Sequence, residues 1–188
     1  MKSAVLLLLI SVLHLATFGQ SSHQVLITYY SKANHTKLLA EAVSKGVLSV
    51  KGVTLVIKSI AETTEQDLRS ADAIVVGSPV YNANPAPEVL AFIQQWPFQN
   101  TPLINKIGAV FVTGGGISSG EELAQVNLLH SMMIFGMILV GGNSWDAAFG
   151  ASAITGEEPF TGPINEQFLK KGESLGKRVA ESVLRWNK

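Results

Sequence analysis

The sequence predicts a doubly wound α/β fold, in which a parallel sheet is covered by helices on both faces. Short apolar runs rich in β-branched residues alternate with longer segments whose apolar residues recur at helical spacing, and this alternation is the pattern of βα units. With 188 residues, 47% of them hydrophobic, the chain can bury a full core, and its length favours one domain.

Five strands and five helices are predicted in alternation. The strands span Val25 to Tyr30, Val53 to Ser59, Ala73 to Gly77, Ile107 to Thr113 and Met137 to Val140. The helices span Thr36 to Ser49, Glu65 to Ala71, Pro87 to Trp96, Gly120 to Ile134 and Asn165 to Arg185. The second strand alternates in polarity and is expected to be the more exposed, whereas the third and fourth are continuously apolar, as expected of strands with helices on both faces.

Right-handed crossovers leave few topologies for such a chain, and one of the two common strand orders is 2-1-3-4-5. In that order ligands bind at the carboxyl ends of the strands, beside the point where the strand order reverses. Function is therefore expected in the loops after strands one, three and four.

Composition excludes several functions. The absence of cysteine excludes disulfide scaffolds and Cys-based zinc or iron–sulfur sites, and we predict no metal site. Fourteen basic residues balance fourteen acidic ones and no Lys/Arg run occurs, so we expect no nucleic-acid partner.

The N-terminus has the pattern of a secretory signal. Lys2 precedes an apolar stretch from Ala4 to Leu15, and small residues follow up to Gly19. Cleavage after Gly19 divides the chain into a signal peptide (1–19) and a single domain (20–188). The stretch is shorter than the roughly 20 apolar residues that span a bilayer, so no stable membrane span is expected after cleavage.

The loop after strand one, Ser31-Lys32-Ala33-Asn34-His35-Thr36, leads directly into a helix. Its hydroxyl groups and the unpaired amides of the helix N-terminus can together hold a phosphate, because the helix dipole favours an anion there. Plain capping of the helix by Asn34 or Thr36 is the alternative, and the loop alone does not decide between the two.

Two further loops follow strands three and four. The segment from Gly77 to Pro87 is long and proline-stiffened, and it can present an aromatic face and backbone groups to a flat ring, although a rigid connection would look the same. The segment Thr113-Gly114-Gly115-Gly116-Ile117-Ser118-Ser119-Gly120 has four glycines in eight residues, which lets the backbone approach a ligand closely.

Together these motifs resemble the flavodoxin-like FMN proteins, in particular the tryptophan-repressor-binding-protein type of NAD(P)H:quinone oxidoreductase. The family pattern Y-Y-S-x-x-G-H is similar to the stretch from Tyr29 to His35, with Asn34 in place of Gly, and G-T-P is similar to the stretch from Gly77 to Pro79. The family's glycine-rich S-T-G-T-x-x-G-G-x-E resembles the stretch from Val112 to Glu121, and Y-G-A-T-T-I-A-G resembles the stretch from Phe149 to Gly156.

The resemblance implies a five-stranded flavodoxin-like sheet and an FMN site. Its phosphate contacts would be Ser31, Asn34, His35 and Thr36. Its ring and ribityl contacts would be Thr113, Gly114, Gly115 and Gly116 on one side and Pro79, Val80, Tyr81 and Asn82 on the other. No catalytic side chain is predicted, because the flavin carries the chemistry; Tyr81 and Trp145 are candidate pocket walls, with Trp96 a weaker one.

The implied activity is hydride transfer from NAD(P)H through FMN to a quinone or a similar small acceptor, and the family also suggests a homo-oligomer. A flavodoxin-type one-electron carrier and a module without catalysis stay open, although a carrier would be expected to have a strongly acidic surface. The family carries a His near the ring at the position of Phe135.

The stretch Asn34-His35-Thr36 is also an N-x-T glycosylation acceptor, and a glycan there would obstruct a phosphate. Export to a periplasm is therefore preferred over a eukaryotic secretory route, and an extracellular location is the alternative.

Overall fold

A computed structural model describes residues 23–186 of the chain. The elements in chain order are β1 (His23–Tyr29), α1 (His35–Leu48), β2 (Val53–Ser59), α2 (Glu65–Ser70), β3 (Ala73–Tyr81), β4 (Asn84–Pro85), α3 (Pro87–Gln94), β5 (Ile107–Gly114), α4 (Glu121–Ile134), β6 (Ile138–Leu139), β7 (Ala151–Ile154) and α5 (Glu166–Trp186). All five predicted helices are confirmed to within two residues at each end. The predicted signal peptide lies outside the described residues.

The sheet confirms the flavodoxin-like fold class but has more strands than predicted. Its main path is β2-β1-β3-β5-β6, and every neighbouring pair along it is parallel. Two short strands lie off this path, since β4 pairs with β3 antiparallel and β7 pairs with β5 parallel. The expected exposure of β2 is confirmed, because it is an edge strand whose residues are only partly buried.

The fifth strand, predicted from Met137 to Val140, is shorter in the structure, and the later strand β7 was not predicted. The pairing of β6 with β5 stops after Leu139, and a 3-10 turn forms at Trp145–Ala147. The chain then pairs with β5 again through β7. Gly141 makes this excursion compact, because a Cβ there would lie 1.8 Å from the carbonyl oxygen of Ala148. A run of only two strand residues gives no alternation for a sequence pattern to detect.

The third strand is also longer than predicted. We expected a loop after Gly77, but β3 continues to Tyr81 and turns back into β4. Asn82 and Ala83 form the two-residue turn with φ of 49° and 61°, the left-handed values of a type I′ hairpin turn. The pairing of β3 with β1 ends at Gly77, so β3 is an edge strand on that side at Pro79, where proline is tolerated.

Two apolar clusters pack against the two faces of the sheet. Helices α1 and α5 cover one cluster, and α2, α3 and α4 cover the other. The α1 and α5 backbones are in close contact, because a Cβ on Gly176 would lie 1.9 Å from the carbonyl oxygen of Val43. This packing fixes the position of α1 and therefore of the loop that precedes it.

Candidate flavin site

The loop after β1, the end of β3 and the loop after β5 meet at the carboxyl edge of the sheet and line a cavity of about 230 Å³. The cavity is lined by Lys32, Ala33, His35, Thr36, Pro79, Val80, Tyr81, Thr113, Gly114, Gly115 and Thr155. Eight of the residues expected to bind FMN are thus brought to one cavity from three separate parts of the chain.

The N-terminus of α1 has free capacity for an anion. Asn34 occupies the N-cap position, but its side chain makes no capping hydrogen bond. Ser31 Oγ accepts a hydrogen bond from the Lys37 amide at 3.2 Å. Alone among the α-helices of residues 23–186, α1 carries no acidic residue in its first turn. The capping alternative for Asn34 therefore has no support, and the unpaired amides point to an anionic ligand.

Asn34 has a left-handed backbone with φ of 64°, which explains a departure from the family pattern. The resembling motif has glycine at this position, and glycine adopts positive φ without steric cost. Asparagine is the non-glycine residue that tolerates this conformation best, so the loop keeps its shape with a different residue.

A hydrogen bond between side chains joins the first and third loops. Thr36 Oγ1 and Thr113 Oγ1 are 2.8 Å apart, and both residues are buried. The bond connects the start of α1 to the end of β5, so it fixes the position of these two elements relative to each other. Either hydroxyl can be the donor. In both cases one hydroxyl hydrogen and several oxygen lone pairs of the two side chains stay available for other hydrogen bonds.

The hairpin β3–β4 forms the second wall of the cavity. Buried Ser78 holds it in place, because its Oγ accepts a hydrogen bond from the Ala86 amide at 2.9 Å and donates one to the Pro79 carbonyl at 2.8 Å. Tyr81 is 37% exposed at the end of β3 and is the aromatic side chain that lines the cavity.

One ionisable neighbour of this wall has a shifted pKa. The hydroxyl of Tyr30 donates a hydrogen bond to Glu88, in the first turn of α3, and this bond raises the pKa of the Tyr30 phenol. Tyr81 adds to the shift through its charge when ionised. The phenol of Tyr30 is thus neutral at physiological pH and is engaged with Glu88.

The glycine loop after β5 is held by a segment that sequence reasoning did not place at the site. The amide and the Oγ1 of Thr155 both donate to the carbonyl of Gly114, at 3.0 Å and 3.1 Å. Glu157 Oε2 accepts a hydrogen bond from the Ile117 amide at 2.6 Å. Thr155 also lines the cavity. The signal was present in the closing motif from Phe149 to Gly156, whose role depends on the pairing of β7 with β5.

Four expected contacts do not line this cavity. Ser31 and Asn34 lie beside it in the loop before α1, Gly116 lies further along the glycine loop, and Asn82 lies at the tip of the hairpin. Trp145, expected as a wall, lines a different and larger cavity.

The other two aromatic positions belong to the core. Trp96 is buried, and its ring lies 5.8 Å from Phe92 and 5.4 Å from Phe135. Phe135 also contacts Phe98 and precedes β6, so it lies at the amino edge of the sheet, opposite the cavity. The exchange of a family His for Phe135 therefore does not alter the residues that line this cavity.

Within residues 23–186 no group of three or more His, Asp or Glu could hold a metal ion. The same part of the chain contains no helix that is long and apolar enough to cross a membrane. The residues present at the cavity instead fit a phosphate-bearing aromatic cofactor, with unpaired amides at one end and a glycine loop facing a tyrosine at the other.

This fold and this arrangement of loops define the class of flavodoxin-like FMN proteins. Residues 31–151 match the family model described as NADPH-dependent FMN reductase. The match covers well over half of the chain, and the chain belongs to this family. It is therefore an FMN-binding oxidoreductase, with NAD(P)H as the reductant that the family description implies.

Known relatives agree with this class. The chain is 29% identical over 170 residues to a flavodoxin of Aquifex aeolicus, and the match covers 85% of this chain and 86% of that protein. Among solved structures, a WrbA-like flavodoxin from Agrobacterium tumefaciens has a TM-score of 0.71 at 20% identity, with 87% of this chain and 99% of that chain covered. A flavodoxin from the domain Archaea has a TM-score of 0.66 at 24% identity, with 86% of this chain and 99% of that chain covered. The structural neighbours share the fold.

Proposed function

We propose that the protein transfers two electrons, as hydride, from NAD(P)H through FMN to a quinone or a similar small electrophile. The observation that carries the FMN-site assignment is the N-terminus of α1, which has no cap from Asn34 and no acid in its first turn and which opens beside the cavity. The quinone is proposed from the resemblance of four motifs to quinone reductases, and from the aromatic wall that Tyr81 offers to a flat acceptor.

In this proposal the loop before α1 binds the phosphate. Ser31, Asn34, His35 and Thr36 contribute polar groups, and the first amides of α1 contribute unpaired N–H donors with the positive end of the helix dipole. Lys32 lines the same cavity and adds a positive charge. The phosphate thus orients the cofactor without any side chain reaching the reacting atoms.

The other two loops position the ring. Thr113 and the three glycines after it provide a backbone surface without side chains, and the hairpin from Pro79 to Asn82 provides the opposite edge. When bound, FMN supplies the hydride acceptor and donor, and the chain supplies orientation and the exclusion of competing reactions. The cavity leaves Tyr81 partly exposed, so one side of the site stays open to a second small molecule.

The test is an anaerobic absorbance titration of the purified protein, loaded with FMN and then mixed with NADPH or NADH. We expect bleaching in one two-electron step and recovery of the absorbance when a quinone is added. Bound flavin that ignores both nucleotides, but takes up electrons one at a time from a chemical reductant, would instead show an electron carrier. Failure to bind FMN would show a module that kept the fold alone.

The absence of net charge argues against the electron-carrier alternative. The chain has 14 basic and 14 acidic residues, whereas a carrier that docks several partners benefits from a strong charge that steers the encounter. A homo-oligomer is proposed from the family resemblance, and light scattering of the loaded protein tests it.

We further propose that the protein is exported, with the periplasm as the preferred location. The support is the pattern of residues 1–19 and the position of Asn34, which is exposed in the loop before α1, where a glycan would block the phosphate. The test is the N-terminal sequence of the natural protein, which we expect to begin at Gln20, together with mass spectrometry of the peptide containing Asn34. A glycan on Asn34 would overturn either the location or the flavin site.

A further inference from the structure

A second cavity, of about 700 Å³, shares the glycine loop with the flavin site. It lies between the end of that loop, the start of α4, the strand β7 and the first turns of α5, and we refer to it as the acidic cleft. Its apolar lining consists of Ile117, Leu123, Trp145, Ile154, Phe160 and Phe168. The volume falls in the range of about 300–1,000 Å³ that is usual for small-molecule sites.

Trp145 presents its ring to this cleft rather than to the core. It lies in the 3-10 turn between β6 and β7 and is 91% exposed. A large aromatic side chain gains most from burial, so an indole this open is suited to cover an incoming ligand. The face of a tryptophan ring also attracts cations more strongly than the face of any other side chain.

Glu121 is the buried polar group of the cleft. The residue is only 8% exposed and lines the cavity, and a Cβ on Gly114 would lie 3.0 Å from its Cγ and 3.3 Å from its Cδ. Within residues 23–186 its carboxylate has neither a hydrogen bond nor an ion pair. The carboxylate oxygens are not fully enclosed by the described residues, so they face the open space of the cleft, where a cation can reach them.

The remaining charges of the cleft do not supply Glu121 with a partner. Asp146 is already engaged, since its carboxylate lies 3.3 Å from Lys171 Nζ and accepts a hydrogen bond from Ser144. Glu122 also lines the cleft and has no cationic partner among the described residues. Three carboxylates and one ammonium group therefore leave the cleft with a formal charge of −2.

We propose that the acidic cleft binds a small organic cation with an aromatic or apolar body. The cationic head would lie against Glu121, and the body would lie on Trp145 and the neighbouring apolar side chains. The sign of the charge excludes the phosphate-bearing nicotinamide nucleotides from this cleft. The site is distinct from the flavin cavity, and the inference does not depend on the identity of the electron acceptor.

Three probes with the same benzyl ring test the assignment. The full chain, with and without FMN, is titrated with benzyltrimethylammonium, benzyl alcohol and benzoate, and binding is followed by calorimetry and tryptophan fluorescence. We expect saturable binding of the cation at least tenfold tighter than that of the neutral alcohol, because the charge interacts with both Glu121 and the indole face. Benzoate is expected not to bind.

Variants then locate the site. Glu121→Gln keeps the shape of the side chain and is expected to weaken cation binding at least tenfold while leaving the alcohol unchanged. Trp145→Ala is expected to weaken both ligands and to remove the fluorescence response. Glu88→Gln and Trp186→Ala serve as controls, since both residues lie outside the cleft and are expected to leave cation binding unchanged.

Several results would overturn the inference. They are an absence of saturable cation binding, equal affinity for the cation and benzoate, or unchanged cation affinity in Glu121→Gln that still binds FMN and unfolds at the same temperature as the parent chain. FMN binding is measured on the same samples, so failure of the flavin site and failure of the acidic cleft are seen separately.

Discussion

Helices α1 and α4 begin at the same edge of the sheet with similar backbones and opposite charge. Asn34 before α1 and Gly120 before α4 both have left-handed φ, of 64° and 102°, and neither provides a side-chain cap. The first turn of α1 has no acid, whereas that of α4 has Glu121 and Glu122. Free amides thus remain available to an anion at α1, while carboxylates make the start of α4 attractive to a cation.

A third helix shows what a satisfied N-terminus looks like. In α2 the Thr64 hydroxyl accepts a hydrogen bond from the Asp67 amide at 3.3 Å, and Asp67 accepts one from the Thr64 amide at 2.8 Å. In α1 the equivalent amide, that of Lys37, donates to Ser31 from the preceding loop, and the N-cap residue Asn34 contributes no side-chain bond. The residues in and just before the first turn, rather than the helix itself, therefore decide which ligand an N-terminus can bind.

The largest effect is expected when α1 is given the charge of α4. Ser31→Asp places a carboxylate where the Lys37 amide already donates. Repulsion of the phosphate is expected to weaken FMN binding about 100-fold, while the stability of the flavin-free protein rises by about 0.5 kcal/mol because the new carboxylate favours the helix N-terminus. Fluorescence titration and thermal unfolding measure the two changes.

The matched control for this variant is Ser31→Asn, which has the same shape without the charge. It is expected to lose far less FMN affinity, and riboflavin affinity is expected to stay equal in both variants. Equal loss in the Asn and Asp variants would show that size rather than charge is responsible.

The next effect concerns the packing that holds α1 in place. Gly176→Ala puts a Cβ 1.9 Å from the carbonyl oxygen of Val43, which is backbone and cannot rotate away. We expect a loss of about 2 kcal/mol in the free energy of unfolding, measured by urea titration. Gly162→Ala, with no atom within 4 Å of the added Cβ, tests how much of the change is steric, although its own φ of 90° adds local strain. A Gly176→Ala protein as stable as the parent would contradict the close contact of α1 and α5.

A smaller effect is expected at the capped helix. The Lys58 ammonium and the Thr64 hydrogen bonds hold the pKa of Asp67 at about 2, below its ordinary value of 3.8. This contribution to stability is present above pH 4 and is lost as the pH falls from about 4 to about 2. Asp67→Ala is expected to lower stability by about 1.5 kcal/mol at pH 7 and to remove that part of the acid dependence.

The readout for Asp67→Ala is urea unfolding at a series of pH values, with FMN affinity at pH 7 as the control. The affinity should not change, because α2 contributes nothing to the flavin cavity. An acid dependence that is the same in both proteins would refute the role of Asp67.

The smallest effect is expected in the glycine loop. Glu157→Ala removes the acceptor of the Ile117 amide, so the loop loses its outer attachment. We expect FMN to bind about fivefold more weakly, roughly the 1 kcal/mol of one exposed hydrogen bond. Glu157→Gln keeps an acceptor oxygen and is expected to restore most of the affinity, and Glu158→Ala is the control. Calorimetry measures the FMN affinity of each variant. If Glu157→Ala binds FMN as tightly as the parent chain, other contacts hold the glycine loop.

The local sequence predicted the helices and the long strands, in which apolar residues recur at a regular spacing. The five helices and the order of the main strands follow from apolar spacing and from the rule for crossovers. The strands β4 and β7 were not predicted, because they have only two and four residues, and β6 is two residues shorter than the predicted strand. Such short pieces are defined by the strand they pair with rather than by their own pattern.

The residues of the candidate site likewise fall into those that the sequence located and those that it did not. The loops that follow long strands were located from the sequence, and eight of their residues meet at one cavity. Thr155 and Glu157 were not located, since they reach the glycine loop only because β7 pairs with β5 some 40 residues away. The acidic cleft combines the start of α4, β7 and the start of α5 and has no single-segment signature.

The most direct test of the flavin site compares FMN with riboflavin, which differs from it only in lacking the phosphate. Calorimetric titration of the unmodified protein with both ligands at one ionic strength measures what the N-terminus of α1 contributes. We expect FMN to bind at least about 100-fold more tightly than riboflavin. Equal affinities, or a preference for riboflavin, would contradict the assignment of this N-terminus as the phosphate site.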